Sequence, residues 1–206
     1  IGRIAARTAH PTIVVLGRLV PHKRVELAID VLAALRDRHP GLRLRIVGDG
    51  WWREQVAAHA QAREVTDQVD LLGFVDETTK HRELASAWIA MAPSAKEGWG
   101  LNVVEAATHG VPTLAHHGAG GLSESILDGV TGILVHDTEG MVEAASSLLS
   151  DEALRTRLGE SARGHARTFT WAGTIQAWDQ LLAHVASGGS PIAQIDEGLS
   201  RSALVS

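Results

Sequence analysis

Cysteine is absent from the 206 residues, which excludes a disulfide framework and a thiolate metal site. No apolar run approaches the ~18 residues that a bilayer-crossing helix needs, and no secretory leader pattern opens the sequence. Lysine is scarce: Lys23, Lys80 and Lys96 are the only positions at which a pyridoxal phosphate could be tethered. There is no Walker A sequence. Gly48-Asp49-Gly50 supplies half of a dinucleotide fingerprint, but Trp51-Trp52-Arg53 replaces the remainder and the turn is the second βα turn, so an oxidoreductase of that type lacks its glycine set. A net charge of −5 argues against general nucleic-acid binding. Eleven histidines are present, yet no His-x3-His helix pair with a carboxylate partner occurs, and His116 and His117 point apart on a strand; no metal site is expected. Together these features set the expectation of a cytoplasmic protein.

What is present is an ordinary globular composition, 45% hydrophobic and 21% charged, long enough for one domain with a substantial core. The charge is uneven. Residues 1–53 carry ten Lys/Arg against four Asp/Glu, and the rest nine against twenty. A phosphate-facing edge would show such a basic first third, although solvated arginines or a contact with anionic lipid give the same asymmetry. The six tryptophans read mostly as core or interface residues, with Trp99 as the one placed at a site.

Short β-branched runs alternate with helical patterns, the signature of a parallel sheet with crossover helices. Strands are predicted at 12–17, 42–48, 69–72, 88–92, 112–116 and 132–135. Helices are predicted at 23–38, stopped by Pro40-Gly41, and near 51–63, 78–86, 100–109, 120–127 and 139–149. Residues 151–186 read as helical with a break near Thr168-Phe169-Thr170, the last helix running from about 171 to 186 and packing on the domain. Residues 187–206 open with Ser-Gly-Gly-Ser-Pro and lose periodicity, as a flexible tail would.

The most informative stretch is Glu97-Gly98-Trp99-Gly100-Leu101-Asn102-Val103-Val104-Glu105. Amides near Trp99, Gly100 and Leu101 open a helix and have no intrahelical acceptor, so with the helix dipole they favour an anion there. Glu105 lies about 7 Å further along the axis, roughly the distance of a ribose from its diphosphate. A carboxylate is a poor phosphate ligand and a good acceptor for paired sugar hydroxyls. A nucleotide sugar suits that geometry. Glycosidase carboxylates flank a single bond, roughly 5 to 9.5 Å apart, whereas these would bracket a long ligand, so a hydrolase fits poorly.

This segment resembles the E-x7-E signature of retaining glycosyltransferases of glycosyltransferase family 4. Other pieces resemble that family in order: Val14-Val15-Leu16-Gly17-Arg18-Leu19 with Lys23, Leu44-Arg45-Ile46-Val47-Gly48-Asp49-Gly50, and Val69-Asp70-Leu71-Leu72-Gly73-Phe74-Val75. Pro93-Ser94 precedes the signature, and Gly120-Gly121-Leu122-Ser123-Glu124 through Asp128-Gly129-Val130-Thr131-Gly132 follows it. The resemblance covers about residues 12 to 185. Trp99 stands where Phe is usual, Arg24 where Gly is common and Ser123 where Pro is frequent; these departures bear on donor identity more than on reaction class.

The resemblance implies an α/β fold: a Rossmann-like three-layer domain with a six-stranded parallel sheet, the C-terminal half of a GT-B glycosyltransferase. Residues 1–10 would be an interdomain linker remnant, 11–186 the nucleotide-sugar (donor) binding domain, and 187–206 the tail. It implies transfer from a nucleotide diphosphate sugar, with no metal and no cofactor. Arg18 and Lys23 would stabilise the departing diphosphate, Glu97 would hold the transferred sugar, and Glu105 would fix the ribose. Gly17, Gly98, Trp99, Gly100, Leu101 and Asn102 would line the donor, with Val75 at the nucleobase. Without the resemblance, Arg18 and Lys23 read sooner as solvated loop residues than as a site, and Glu105 equally as the wet edge of a buried helix. The implied partner is an N-terminal acceptor-binding domain of the same enzyme, through which the full-length protein could touch a membrane; without that domain the chain is expected to bind donor and transfer nothing. Alternatives are a non-catalytic nucleotide-sugar-binding module and, on the same architecture, a sugar-nucleotide epimerase or a phosphorylase.

Overall fold

The computed structural model describes residues 6–190, which leaves the first half of the expected linker remnant (1–5) and most of the expected tail (191–206) outside the described residues. Two compact units divide the chain, residues 1–166 and 167–206. In the first, six strands form one sheet: β1 Thr12–Leu16, β2 Arg43–Val47, β3 Val69–Gly73, β4 Ile89–Ala92, β5 Thr113–His116 and β6 Gly132–Val135. Every pairing is parallel and the spatial order is β3-β2-β1-β4-β5-β6. The crossovers carry α1 Val25–Leu35, α2 Arg53–Ala62, α3 Glu77–Ser86, α4 Leu101–Thr108, α5 Leu122–Ser125 and α6 Thr138–Ser150, and α7 Glu152–Ala166 follows.

Strand alternation distributes the core. Ile13 and Val15 of β1 point to one face, where they pack with Leu27, Val31 and Leu35 of α1 and Met141 and Leu148 of α6. Val14 points the other way, toward Leu84 of α3 and Ala106 of α4. The sheet is thus covered on both faces, as a parallel sheet requires, and the three-layer expectation holds. Local chemistry sets several helix starts: Asp76 Oδ1 accepts from the Thr79 amide at 2.6 Å, and Asp137 Oδ1 from the Gly140 amide at 2.8 Å.

Two helices are shorter than their patterns predict. Lys23 falls outside α1, in a 3-10 turn Pro21–Lys23, because Arg24 adopts a left-handed conformation (φ 49°, ψ 41°) that separates turn from helix. Glycine is the residue that reaches this region without cost. α5 is a single turn, bounded by Gly120 at φ +78° and by extended Ile126. The tryptophans also depart from expectation: none is fully buried, and Trp51, Trp171 and Trp178 are exposed.

The N-terminal segment is more than a linker from residue 7 onward. The Arg7 guanidinium donates to the carbonyls of Ala85 at 2.8 Å, Ala87 at 2.9 Å and Gly110 at 2.6 Å, tying the ends of α3 and α4. Trp88 Nε1 donates to the Thr8 carbonyl at 2.9 Å. In the second unit, α8 Trp171–Ala186 starts where Thr170 Oγ1 accepts from the Gly173 amide at 3.0 Å. Trp171, Ile175, Trp178, Leu182 and Val185 form an exposed apolar stripe at helical spacing. Among the described residues no helix is long and apolar enough to cross a membrane.

Candidate functional site

Strand order reverses between β1 and β4, and open parallel sheets place their ligands outside the carboxyl ends of the strands at that point. Both loops that leave there contribute to one open cavity of about 430 Å³. From the loop after β1 come Gly17, Arg18 and Lys23; from the segment after β4 come Glu97, Trp99, Gly100, Leu101, Asn102 and Glu105. Residues that lie about 80 positions apart in sequence thus share one wall. Of the residues singled out from the sequence, Val75 and Gly98 are not in that lining. The Val75 side chain packs against the cluster of Val14, Val47 and Leu84, and a Cβ on Gly98 would meet open space.

Glycines bring these loops close. A Cβ on Gly48 would lie 1.9 Å from the Gly17 carbonyl oxygen, and one on Gly50 2.2 Å from that of Leu19. The Leu19 amide donates to the Asp49 carbonyl at 3.0 Å. Gly48-Asp49-Gly50 is therefore a buttress for the β1 loop, which accounts for its glycines without a dinucleotide. Behind the other loop, the Glu97 amide donates to the Ala119 carbonyl at 2.8 Å and the Gly121 amide to the Glu97 carbonyl at 3.2 Å. Gly100, at φ +84°, has no room for a side chain against Leu122 and starts α4.

At the amino end of α4 the Val103 and Val104 amides both reach the Gly100 carbonyl, at 2.9 and 3.4 Å. The Leu101 and Asn102 amides precede the first intrahelical bond and have no hydrogen-bond acceptor among the described residues, the arrangement that favours an anion at a helix start. The Asn102 side chain has a structural task instead, its Nδ2 donating to the Leu16 carbonyl at 3.0 Å and lashing the helix start to the end of β1.

Two ion pairs hold the two glutamates. Lys23 Nζ lies 2.5 Å from Glu97 Oε1, and Ser94 Oγ donates to the same oxygen at 2.7 Å. The pair is largely buried. An ammonium has three donors, so Lys23 retains capacity for a second anion. Glu105 receives Lys80 Nζ from α3 at 2.5 Å on Oε1 and, among the described residues, carries no hydrogen bond on Oε2. Neither Ser94 nor Lys80 was assigned a site role from the sequence. Ser94 belongs to the Pro93-Ser94 pair, three positions before Glu97; Lys80 lies 25 residues before Glu105 and carries no local signal. Lys80 also lies 2.8 Å from Glu77 Oε2. Burial lowers its pKa, and the hydrogen bonds it donates to Glu105 and Glu77, with their negative charge, outweigh burial and leave it raised.

Most of the basic first third is committed elsewhere. Arg43 pairs with Asp70 at 2.6 Å and Arg45 with Glu83 at 2.8 Å, so these arginines neutralise later acidic residues across the sheet. Arg18 is exposed at the cavity and makes no ion pair among the described residues. Two cations, Arg18 and Lys23, the amino end of α4 and two carboxylates, Glu97 and Glu105, thus line the same cavity. Among the described residues no group of three or more His, Asp or Glu is placed to hold a metal ion.

The family model for glycosyl transferases group 1 matches residues 3–165. The chain is 37% identical over 179 residues to an exopolysaccharide phosphotransferase of Streptomyces coelicolor, covering 85% of this chain and 19% of that protein. It is 34% identical over 174 residues to the D-inositol 3-phosphate glycosyltransferase of Corynebacterium glutamicum, covering 81% of this chain and 41% of that one. The crystal structure of Anabaena HepE in complex with UDP and glucose matches with a TM-score of 0.74 at 22% identity, covering 87% of this chain and 48% of that one. The chain therefore spans less than half the length of each.

Proposed function

This chain belongs to the glycosyl transferases group 1 family, and on that premise we propose that it is the donor-binding domain of a retaining glycosyltransferase of family 4. It takes a sugar from a nucleotide diphosphate sugar and passes it to an acceptor held by an N-terminal domain of the longer enzyme. The observation that carries this reading is the convergence of Arg18, Lys23, Glu97, Glu105 and the amino end of α4 on one cavity at the sheet's switch point.

In this reading the diphosphate sits on the Leu101 and Asn102 amides. Arg18 offers a forked contact and Lys23 a point charge. Cleavage of the sugar–phosphate bond leaves negative charge on the departing diphosphate, and prepositioned cations lower the barrier by stabilising that charge as it develops. These cations and the helix dipole take the place of a metal, and no cofactor is used. Glu97, held by Lys23 and Ser94, accepts from hydroxyls of the transferred sugar beside Trp99. Glu105 accepts from the ribose hydroxyls through its open oxygen, and Val75 meets the nucleobase through its backbone. HepE was crystallised with UDP and glucose, which supports a ligand of this class on this fold.

A thermal-shift panel of uridine, guanosine and adenosine diphosphates tests the reading, because a ligand that binds only the folded chain stabilises it by about 2.7 kcal/mol at 100 times its Kd. One nucleotide is expected to raise the melting temperature. Glu105→Ala should then weaken it by about 1–3 kcal/mol in calorimetry, through loss of a charged acceptor. If none of the three stabilises the chain, the donor-site reading fails.

A further inference from the structure

We propose that Lys80 is a positioning residue for the ribose half of the donor, acting through Glu105; the inference rests on the donor-site reading above. Glu105 is the fifth residue of an eight-residue helix and its side chain is one-third exposed, so nothing on α4 itself fixes its rotamer. The Lys80 ammonium supplies the constraint from a different element. Its side chain is only 15% exposed, and Nζ is held between Glu105 Oε1 and Glu77 Oε2. A cation clamped by two carboxylates on a mostly buried stem has little freedom to wander, so it pins the oxygen it touches and leaves the other as the acceptor for the ribose of a donor in the cavity that Glu105 lines.

The placement of Lys80 is itself built. Asp76 caps α3, accepting the Thr79 amide on Oδ1 at 2.6 Å and the Lys80 amide on its carbonyl at 2.8 Å, which sets Lys80 at the end of the first turn. His81 Nδ1 and His109 Nε2 lie 2.9 Å apart and join α3 to the end of α4, one residue past Lys80 on α3 and one helical turn past Glu105. The Arg7 guanidinium ties the carboxyl ends of the same two helices. α3 and α4 are thus registered at three levels, and the Lys80–Glu105 contact is the level that faces the cavity. A hydroxyl pair needs an acceptor in a fixed direction, and the direction here is dictated from α3.

The test compares two ligands that differ by the ribose. Calorimetry on this chain would use the best-binding nucleoside diphosphate, and inorganic pyrophosphate would be followed as its competitor. Lys80→Gln should weaken the nucleoside diphosphate roughly tenfold and leave pyrophosphate within about twofold. Lys80→Arg, which keeps the charge-assisted bond, should restore most of the affinity. The double variant Lys80→Gln/Glu105→Ala should be no weaker than Glu105→Ala alone, since one residue acts through the other. Equal losses for both ligands, additive losses in the double variant, or a lowered melting temperature with unchanged affinity would each overturn the role. Failure of the unmutated chain to bind any nucleoside diphosphate refutes the donor-site reading and this role with it; normal binding with unaltered Lys80→Gln affinity refutes this role alone.

Discussion

Gly121→Ala isolates the contact that positions the Glu97 loop. Gly121 has φ −65° and ψ 1°, a conformation that alanine adopts freely, so the substitution introduces no backbone strain. The added Cβ would sit 1.8 Å from the Gly98 carbonyl oxygen, 2.8 Å from its carbon and 3.0 Å from the Trp99 Cα. All three are main-chain atoms, which cannot rotate aside as a side-chain tip can. To bring the oxygen to even 3.0 Å the two segments must separate by about 1.2 Å. Such overpacking costs about 1–3 kcal/mol, equivalent to a melting temperature roughly 2–12 °C lower for a chain of this size. Gly98→Ala is the matched control on the opposite side of the same contact, because its Cβ would meet nothing within 4 Å. It should change stability by no more than about 0.5 kcal/mol. Urea unfolding of both variants measures the difference. Nucleoside diphosphate affinity should fall in Gly121→Ala as the displaced loop carries Glu97 and Trp99 out of register. Equal midpoints for the two variants would refute the claim that close glycine packing sets the loop.

Arg24→Gly should raise stability by up to about 1 kcal/mol, since release of the left-handed strain outweighs glycine's greater freedom in the unfolded chain; an unchanged or lower melting temperature would show that Arg24 is not strained. Arg7→Ala should destabilise by about 2–3 kcal/mol, because the helix-end carbonyls it serves lose a charged donor, read as a lower urea midpoint. Burial pushes His39, His109 and His116 below their ordinary 6.5, helped by Arg38 at His39, by His81 and Arg7 at His109, and by Arg24 at His116. The unfolded chain then binds more protons just below pH 6.5, so stability is full above that pH and falls as the pH drops through the folded values. A urea midpoint at pH 5.5 equal to that at pH 7.5 would contradict this, and His109→Gln should flatten part of the slope.

The parts of this fold that could be read in advance are those whose causes are local. Strands such as 69–73 and 132–135 lie within a residue of their predicted bounds because each is a short, largely apolar run bounded by turn residues. The helix start at Leu101 was legible for the same reason, since the glycine before it makes the turn into the helix. What was not legible depends on where a side chain from one crossover meets another. Nothing in Glu77-Thr78-Thr79-Lys80 announces a partner 25 residues on, and the basic first third gave no sign that Arg43 and Arg45 would turn to Asp70 and Glu83. Such pairings follow from strand order: β1 lies between β2 and β4, and α3 and α4 come together on one face of the sheet. A motif therefore names the atoms that meet a ligand, while the residues that hold those atoms still are set by topology. In the proposed donor site the first group is Glu97 and Glu105 and the second is Ser94, Lys23 and Lys80, with Lys23 belonging to both. That overlap makes Lys23→Met the harder variant to interpret and Lys80→Gln the cleaner one, because Lys80 can be removed without withdrawing a proposed phosphate ligand.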